Sequence, residues 1–117
     1  MAEPAEGFRR AREALAGLDS TLQHKLRLGI LVLLADADRM SFSRLKELLG
    51  PSDGNLGAQL RKLEDAEYVS VHKEFVKRRP VSWYGITAAG REALDAHLGA
   101  MQAIIRSAKR GGQAGSP

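Results

Sequence analysis

A mainly α-helical fold carrying one β-hairpin is what these 117 residues predict, and three observations carry the prediction. Apolar residues recur at steps of three and four through most of the chain, the mark of helices buried along one face. An abrupt break, Gly50-Pro51-Ser52-Asp53-Gly54, separates two such segments. After Glu67 the period drops to two, over residues 68–73 and again over 81–86, which is the spacing of paired strands.

The elements follow in order. A first helix is expected over residues 6–17, where Phe8, Ala11, Leu15 and Leu18 make one apolar stripe and Gly17 can end it. Ser20-Thr21-Leu22-Gln23 has the spacing of a capping box, in which the Ser20 hydroxyl and the Gln23 amide satisfy each other's backbone donors. The helix it opens should reach Ala35, with Leu22, Leu26, Ile30, Leu33 and Leu34 making it the most buried segment. Ser41 can cap a short third helix that turns Phe42, Leu45, Leu48 and Leu49 inward. Gly50 then supplies a left-handed residue, and Pro51 prevents continuation.

Ser52 or Asp53 caps the fourth helix, whose stripe is narrow: Leu56, Leu60 and Leu63. Asn55, Gly57, Ala58, Gln59, Arg61 and Lys62 are therefore expected to point away from the core. The two alternating runs form a hairpin with a basic tip at residues 76–79, and Pro80 sits at the second strand's start, where a missing N–H costs least. Thr87 caps a last helix over about residues 88–108. Residues 1–5 are expected to be a disordered N-terminus, 6–108 a single domain, and 109–117, rich in Gly, a flexible tail.

Composition narrows the function classes. With no cysteine there is no disulfide framework, thiolate metal site or cysteine nucleophile, and a reducing cytoplasm is the natural compartment. The longest apolar run, residues 30–35, is far too short to span a bilayer, and no signal peptide is evident. Lys and Arg number 18 against 14 Asp and Glu, a net +4 that permits a polyanionic partner. The excess is concentrated: residues 67–80 hold Lys73, Lys77, Arg78 and Arg79 against Glu67 and Glu74. "DGNLG" lacks the spacing of a phosphate-binding loop and its following Lys, and no Ser-His-Asp set has a local signature, so no enzyme is expected. Asp95-Ala96-His97 resembles the start of a zinc site, but position 108 is Ala and no later His follows, so neither metal nor cofactor is expected.

Three helices, a hairpin and a flanking helix describe a winged helix-turn-helix with N- and C-terminal dimerisation helices. The blocks "LRLGILVLL", "FSRLKELLG", "SDGNLGAQLRKLEDAEYV" and "RPVSWYGITAAGREAL" resemble those of small bacterial winged-helix transcriptional regulators of the MarR/ArsR type. The likeness covers roughly residues 18–100 and is nearest to a compact subgroup whose recognition helix reads Asp-Gly-Asn-Leu. It implies a homodimeric, sequence-specific DNA-binding regulator, most simply a repressor. Where that subgroup commonly has Ser and His, this chain has Gly57 and Gln59, so a base preference does not carry over.

The physics of the groove selects candidates independently. A major groove about 12 Å wide admits one helix, and Asn or Gln can pair with adenine edges. Asn55 and Gln59, with the small Ala58 between them, are the expected base contacts. Ser43, Arg44, Lys46, Ser52, Arg61 and Lys62 are the expected phosphate contacts, and Lys73, Lys77, Arg78 and Arg79 those of the wing. Trp83 and Tyr84 should face opposite sides of their strand, one of them inward. Phe8, Leu15, Leu94, Leu98, Met101, Ile104 and Ile105 are the expected dimer interface. The expected partners are double-stranded DNA and a second copy, with room for a small-molecule effector and no membrane. Two alternatives remain: a nonspecific architectural DNA-binding protein and a winged-helix protein-interaction module.

Overall fold

The computed structural model describes the backbone of residues 2–114 and the side chains of residues 6–109. The elements are α1 (Ala2–Ala16), a 3₁₀ turn at Thr21–Gln23, α2 (Lys25–Ala35), β1 (Met40–Ser41), α3 (Phe42–Leu49), α4 (Asp53–Asp65), β2 (Val69–Val76), β3 (Arg79–Ile86) and α5 (Ala88–Ala114). They fall into two compact units, Ser20–Leu94 and the terminal Met1–Asp19 with Asp95–Pro117. This is the mainly helical, hairpin-bearing fold that the period changes predict.

The central unit is built on leucine. Leu22, Ile30, Leu31, Leu34, Leu45, Leu56, Leu60 and Leu63 are all fully buried, and Val69, Tyr84 and Leu94 nearly so. Leu31 joins this core unforeseen, whereas Leu26 and Leu33 are only half-buried and Leu48 is exposed. In α3 Leu45 is fully buried and Phe42 and Leu49 are half-buried, so three of the four residues expected to face inward do so.

The capping box does not form. Ser20 has helical backbone (φ −61°, ψ −34°) and no cap bond, because a capping hydroxyl needs an extended backbone to reach the N–H groups ahead of it. The extended residue is His24, whose Nδ1 accepts from the Leu26 N–H at 3.2 Å and opens α2. At the far end of α2 the Arg91 guanidinium donates to the Ala35 carbonyl at 3.2 Å, satisfying one of the last acceptors. The α4 helix ends with the Tyr68 N–H donating to the Leu63 carbonyl and Glu67 at φ 65°, a Schellman closure with Glu where Gly is usual.

The three strands form an antiparallel sheet in the order β1-β3-β2, in register from Val69↔Ile86 to Val76↔Arg79. The expected interruption at residues 76–79 shrinks to two, Lys77 and Arg78, at φ 51° and 66°. Positive φ at both central residues is the type I′ pattern, whose twist matches the flanking strands. The short β1, not foreseen, pairs with β3 only at Tyr84 and Trp83. At Pro80 the outer side of β3 is therefore an open edge, where a proline is tolerated.

Thr87 caps α5 as expected: its hydroxyl accepts from the Gly90 N–H at 2.9 Å and donates to the Glu67 carbonyl at 2.6 Å. Gly90 cannot carry a side chain, since a Cβ there would run into the Tyr68 carbonyl oxygen and Ile86 Cγ1. In the terminal unit Ala14 and His97 are the buried side chains among the described residues. Its helices extend into the end segments expected to lack structure. The α1 helix starts at Ala2 with Pro4 in its first turn, where no N–H is needed, and α5 continues to Ala114 with no proline before Pro117 to stop it. Met1 and residues 115–117 lie outside the described residues.

Candidate nucleic-acid interface

Helices α3 and α4 and the turn between them form the candidate interface. Ser41 Oγ accepts from the Arg44 N–H at 3.1 Å and starts α3. Gly50, at φ 78°, closes it by donating its N–H to the Lys46 carbonyl at 2.8 Å. Only a residue without a Cβ takes that left-handed conformation at little cost, so the chain can turn sharply there. Ser52 is extended, and its Oγ accepts from the Asn55 N–H at 3.2 Å to begin α4. The buried Leu56, Leu60 and Leu63 pin one side of α4 to the core.

The opposite side is open. Asn55, Ala58, Arg61 and Lys62 are exposed, and a Cβ built on Gly54 or Gly57 would meet nothing within 4 Å. Among the described residues, the backbone at Gly54 and Gly57 is therefore open on this face of α4. Ser43, Arg44, Lys46 and Ser52 are also exposed along the turn. Arg44 pairs with Glu47 at 3.0 Å and Lys46 with Asp53 at 2.7 Å. Both pairs lie in solvent, where such contacts are weak and readily exchanged for phosphate. Lys73, Lys77, Arg78 and Arg79 are exposed on the hairpin, with Lys77 and Arg78 forming its tip.

Gln59 departs from the expectation that it points outward. It is only 7% exposed. Its Oε1 accepts from Arg27 Nη1 at 2.6 Å, and its Nε2 donates to Asn55 Oδ1 at 3.1 Å. Arg27 in turn donates Nε to the Thr21 carbonyl at 2.6 Å. A guanidinium half-buried on α2 draws the amide inward, because burying it without acceptors would cost more than turning Gln59 away from solvent. Arg27 was the residue missed. The only signal for it is a lone cation inside the apolar run "LRLGILVLL", and periodicity does not reveal which neighbour it meets.

Phe75 was missed too: it is 77% exposed beside the basic tip, opposite Pro80. Tyr84 faces inward and Trp83 is half-buried, as the alternation predicts. The Trp83 indole donates to Glu74 Oε1 at 2.9 Å, and the Arg39 guanidinium lies 4.2 Å above its ring. Burial, and then the Glu64 carboxylate, hold the Tyr84 phenol above its usual range, so it stays a neutral packing residue.

Of the expected interface residues in the helices flanking the central fold, Phe8, Leu15 and Ile105 are exposed, and Leu98, Met101 and Ile104 are half-buried. Leu94 is a correction: it is 4% exposed and belongs to the central unit's core. A residue already buried against its own chain has little surface left for a partner. His97 is buried, with Nδ1 accepting from the Asp19 N–H at 2.9 Å. Among the described residues no three His, Cys, Asp or Glu side chains cluster to hold a metal, and no helix is long and apolar enough to cross a membrane.

Comparison with known proteins agrees with this geometry. The family model described as a winged helix DNA-binding domain matches residues 26–105. An uncharacterized protein of Methanocaldococcus jannaschii is 37% identical over 73 residues, 62% of this chain and 79% of the relative. The transcriptional regulator homologue of Pyrococcus horikoshii OT3 is similar with a TM-score of 0.73 at 28% identity, over 84% of this chain and 95% of that one. Wild-type MarR of E. coli in its apo form shares the fold, with a TM-score of 0.59 at 21% identity over 81% and 68% of the two chains. The exposed helix of a helix-turn-helix, a basic hairpin and these matches converge on DNA binding and not catalysis: the chain belongs to the winged helix DNA-binding domain family, with the fold of MarR-like transcriptional regulators.

Proposed function

We propose that this chain is a sequence-specific transcriptional regulator, in its simplest form a repressor that occludes a promoter by binding a pseudo-palindromic operator as a homodimer. One observation carries the proposal: one face of α4, with Asn55, Ala58, Arg61 and Lys62, is exposed while Leu56, Leu60 and Leu63 pin the other face to the core. In this reading Asn55 and Ala58 meet base edges. Ser43, Arg44, Lys46, Ser52, Arg61 and Lys62 hold phosphates, and Lys73, Lys77, Arg78 and Arg79 bring the wing to an adjacent groove. Two such helices, one from each copy, would lie about 34 Å apart along the duplex. A small-molecule effector belongs to the same reading. The depression lined by His24, Lys25, Leu26, Leu49, Pro51 and Asn55 is where its binding would bear most directly on the reading helix.

Fluorescence anisotropy tests the proposal, with a labelled fragment from upstream of the protein's own gene beside a scrambled one, at two salt concentrations. A specific regulator prefers its site by about a thousandfold or more. Asn55→Ala should then weaken binding to the site by about 1–3 kcal/mol and leave the scrambled fragment unaffected. Equal, steeply salt-dependent binding to every fragment, including a genomic pool, would favour an architectural protein. No DNA binding at the lower salt would move the assignment to a protein-interaction module.

A further inference from the structure

We infer that Arg27 and Gln59 are positioning residues that set base preference by fixing which end of the Asn55 amide is presented to DNA; this rests on the proposal that α4 reads base edges. The inference follows from the polarity of a three-membered chain of hydrogen bonds. Arg27 can only donate, and it does so to the Thr21 carbonyl and to Gln59 Oε1, both at 2.6 Å. The Gln59 amide must therefore show its oxygen to Arg27, which leaves its NH₂ for the other side. There Nε2 donates to Asn55 Oδ1 at 3.1 Å. Asn55 can answer a donor only with its oxygen, so that oxygen is tied inward. Among the described residues Nδ2 has no acceptor, and Asn55 is exposed.

The outcome is a donor held ready on the open face of α4. A single exposed amide in the first turn of a helix would otherwise turn over freely and offer either end. Gln59 is buried and Arg27 half-buried, so neither needs to touch DNA for this to hold. In the major groove a donor is met by guanine O6 or N7, adenine N7 and thymine O4, whereas cytosine offers only its N4 donor. The position that Asn55 contacts should accept those bases and reject cytosine.

The polarity can be reversed at one residue. In Gln59→Glu the carboxylate still accepts from Arg27 but has no proton to give Asn55. The Asn55 amide should then turn so that Nδ2 faces Glu and Oδ1 faces the groove, where cytosine N4 or adenine N6 becomes its partner. Arg27→Met removes the donor that orients Gln59, while Arg27→Lys keeps a donor and should keep the orientation.

The experiment is selection of binding sites from a randomised DNA pool by the full-length wild type and the three variants, with folding checked by circular dichroism. The expected result is a change of about tenfold in base preference at one position per half-site for Gln59→Glu, now favouring cytosine or adenine. Arg27→Met should flatten that position, and Arg27→Lys should leave it as in the wild type. Gln59→Glu and Arg27→Met each lower the net charge by one unit and should weaken nonspecific DNA binding to the same small extent. A preference reversed in the one and flattened in the other at a single base position therefore separates orientation from a general structural defect. If the wild type selects no sequence, the base-reading proposal fails and takes this inference with it. If the wild type selects sites and Gln59→Glu and Arg27→Met select the same ones, the relay is overturned while the reader stands. Should Gln59→Glu not fold, Arg27→Met against Arg27→Lys decides: equal preferences in those two overturn the inference.

Discussion

His97 accepts the Asp19 N–H on Nδ1 while only 3% exposed, so its proton sits on Nε2 and the ring serves the backbone rather than a ligand. A buried amide deprived of its acceptor loses more than one that can turn to water. His97→Ala should therefore lower stability by about 1–3 kcal/mol in urea titration, with the DNA affinity of the folded fraction unchanged. A loss below about half a kilocalorie would mean that water replaces the ring freely. The contrast is Lys46 with Asp53, a close pair at 2.7 Å that is open to solvent on both sides. Its removal should scarcely register in the same titration. The same distinction explains Gln59: a side chain polar enough to expect at the surface is held inside by an Arg that needs an acceptor.

At the scale of elements, the wing separates stability from binding. Lys77 and Arg78 both adopt positive φ, which costs an ordinary residue about 1 kcal/mol or more. Asn-Gly is the pair best suited to a type I′ turn. Lys77→Asn with Arg78→Gly should raise the unfolding free energy by about 1–2 kcal/mol and lower the slope of log affinity against log salt by about 2 per wing. Stabilisation without a change of slope would take the tip off the DNA. The hairpin itself was legible because alternation is a strong signal, but its true turn length was not. "KRR" shows charge, and only the folded register shows that two of its residues turn while Arg79 pairs with Val76. The α3 and α4 boundaries were equally legible, since Ser41, Gly50 and Ser52 act on their immediate neighbours. Capping at Ser20, the two-residue β1 and the Arg27 contact to Gln59 were not, for each depends on partners or backbone angles that local spacing does not determine.

The whole molecule poses a question of area. In the terminal unit Phe8, Leu15 and Ile105 are 70%, 56% and 51% exposed, and Leu98, Met101 and Ile104 are only half covered. Single exposed apolar residues are common, but here they are most of what the unit has to bury. Gly17 packs near Ala100, and Arg10, Ala14, Ala103 and Arg106 line one depression, so α1 and this part of α5 meet through small and charged residues. Two helices joined that thinly are marginal alone, and a second copy presenting the same stripe would supply the missing cover. A homodimer is thus the expected state, with sedimentation equilibrium giving twice the chain mass at micromolar concentration and a melting temperature that rises with concentration. Phe8→Glu with Ile105→Glu should yield a monomer whose melting temperature no longer depends on concentration, because burying two carboxylates at the contact is prohibitive. On DNA the monomer should recognise one half-site and lose the preference for correctly spaced pairs, while its base preference within a half-site is retained. A wild type that stays monomeric, both free and on DNA, would exclude the two-fold arrangement and with it the pseudo-palindromic operator.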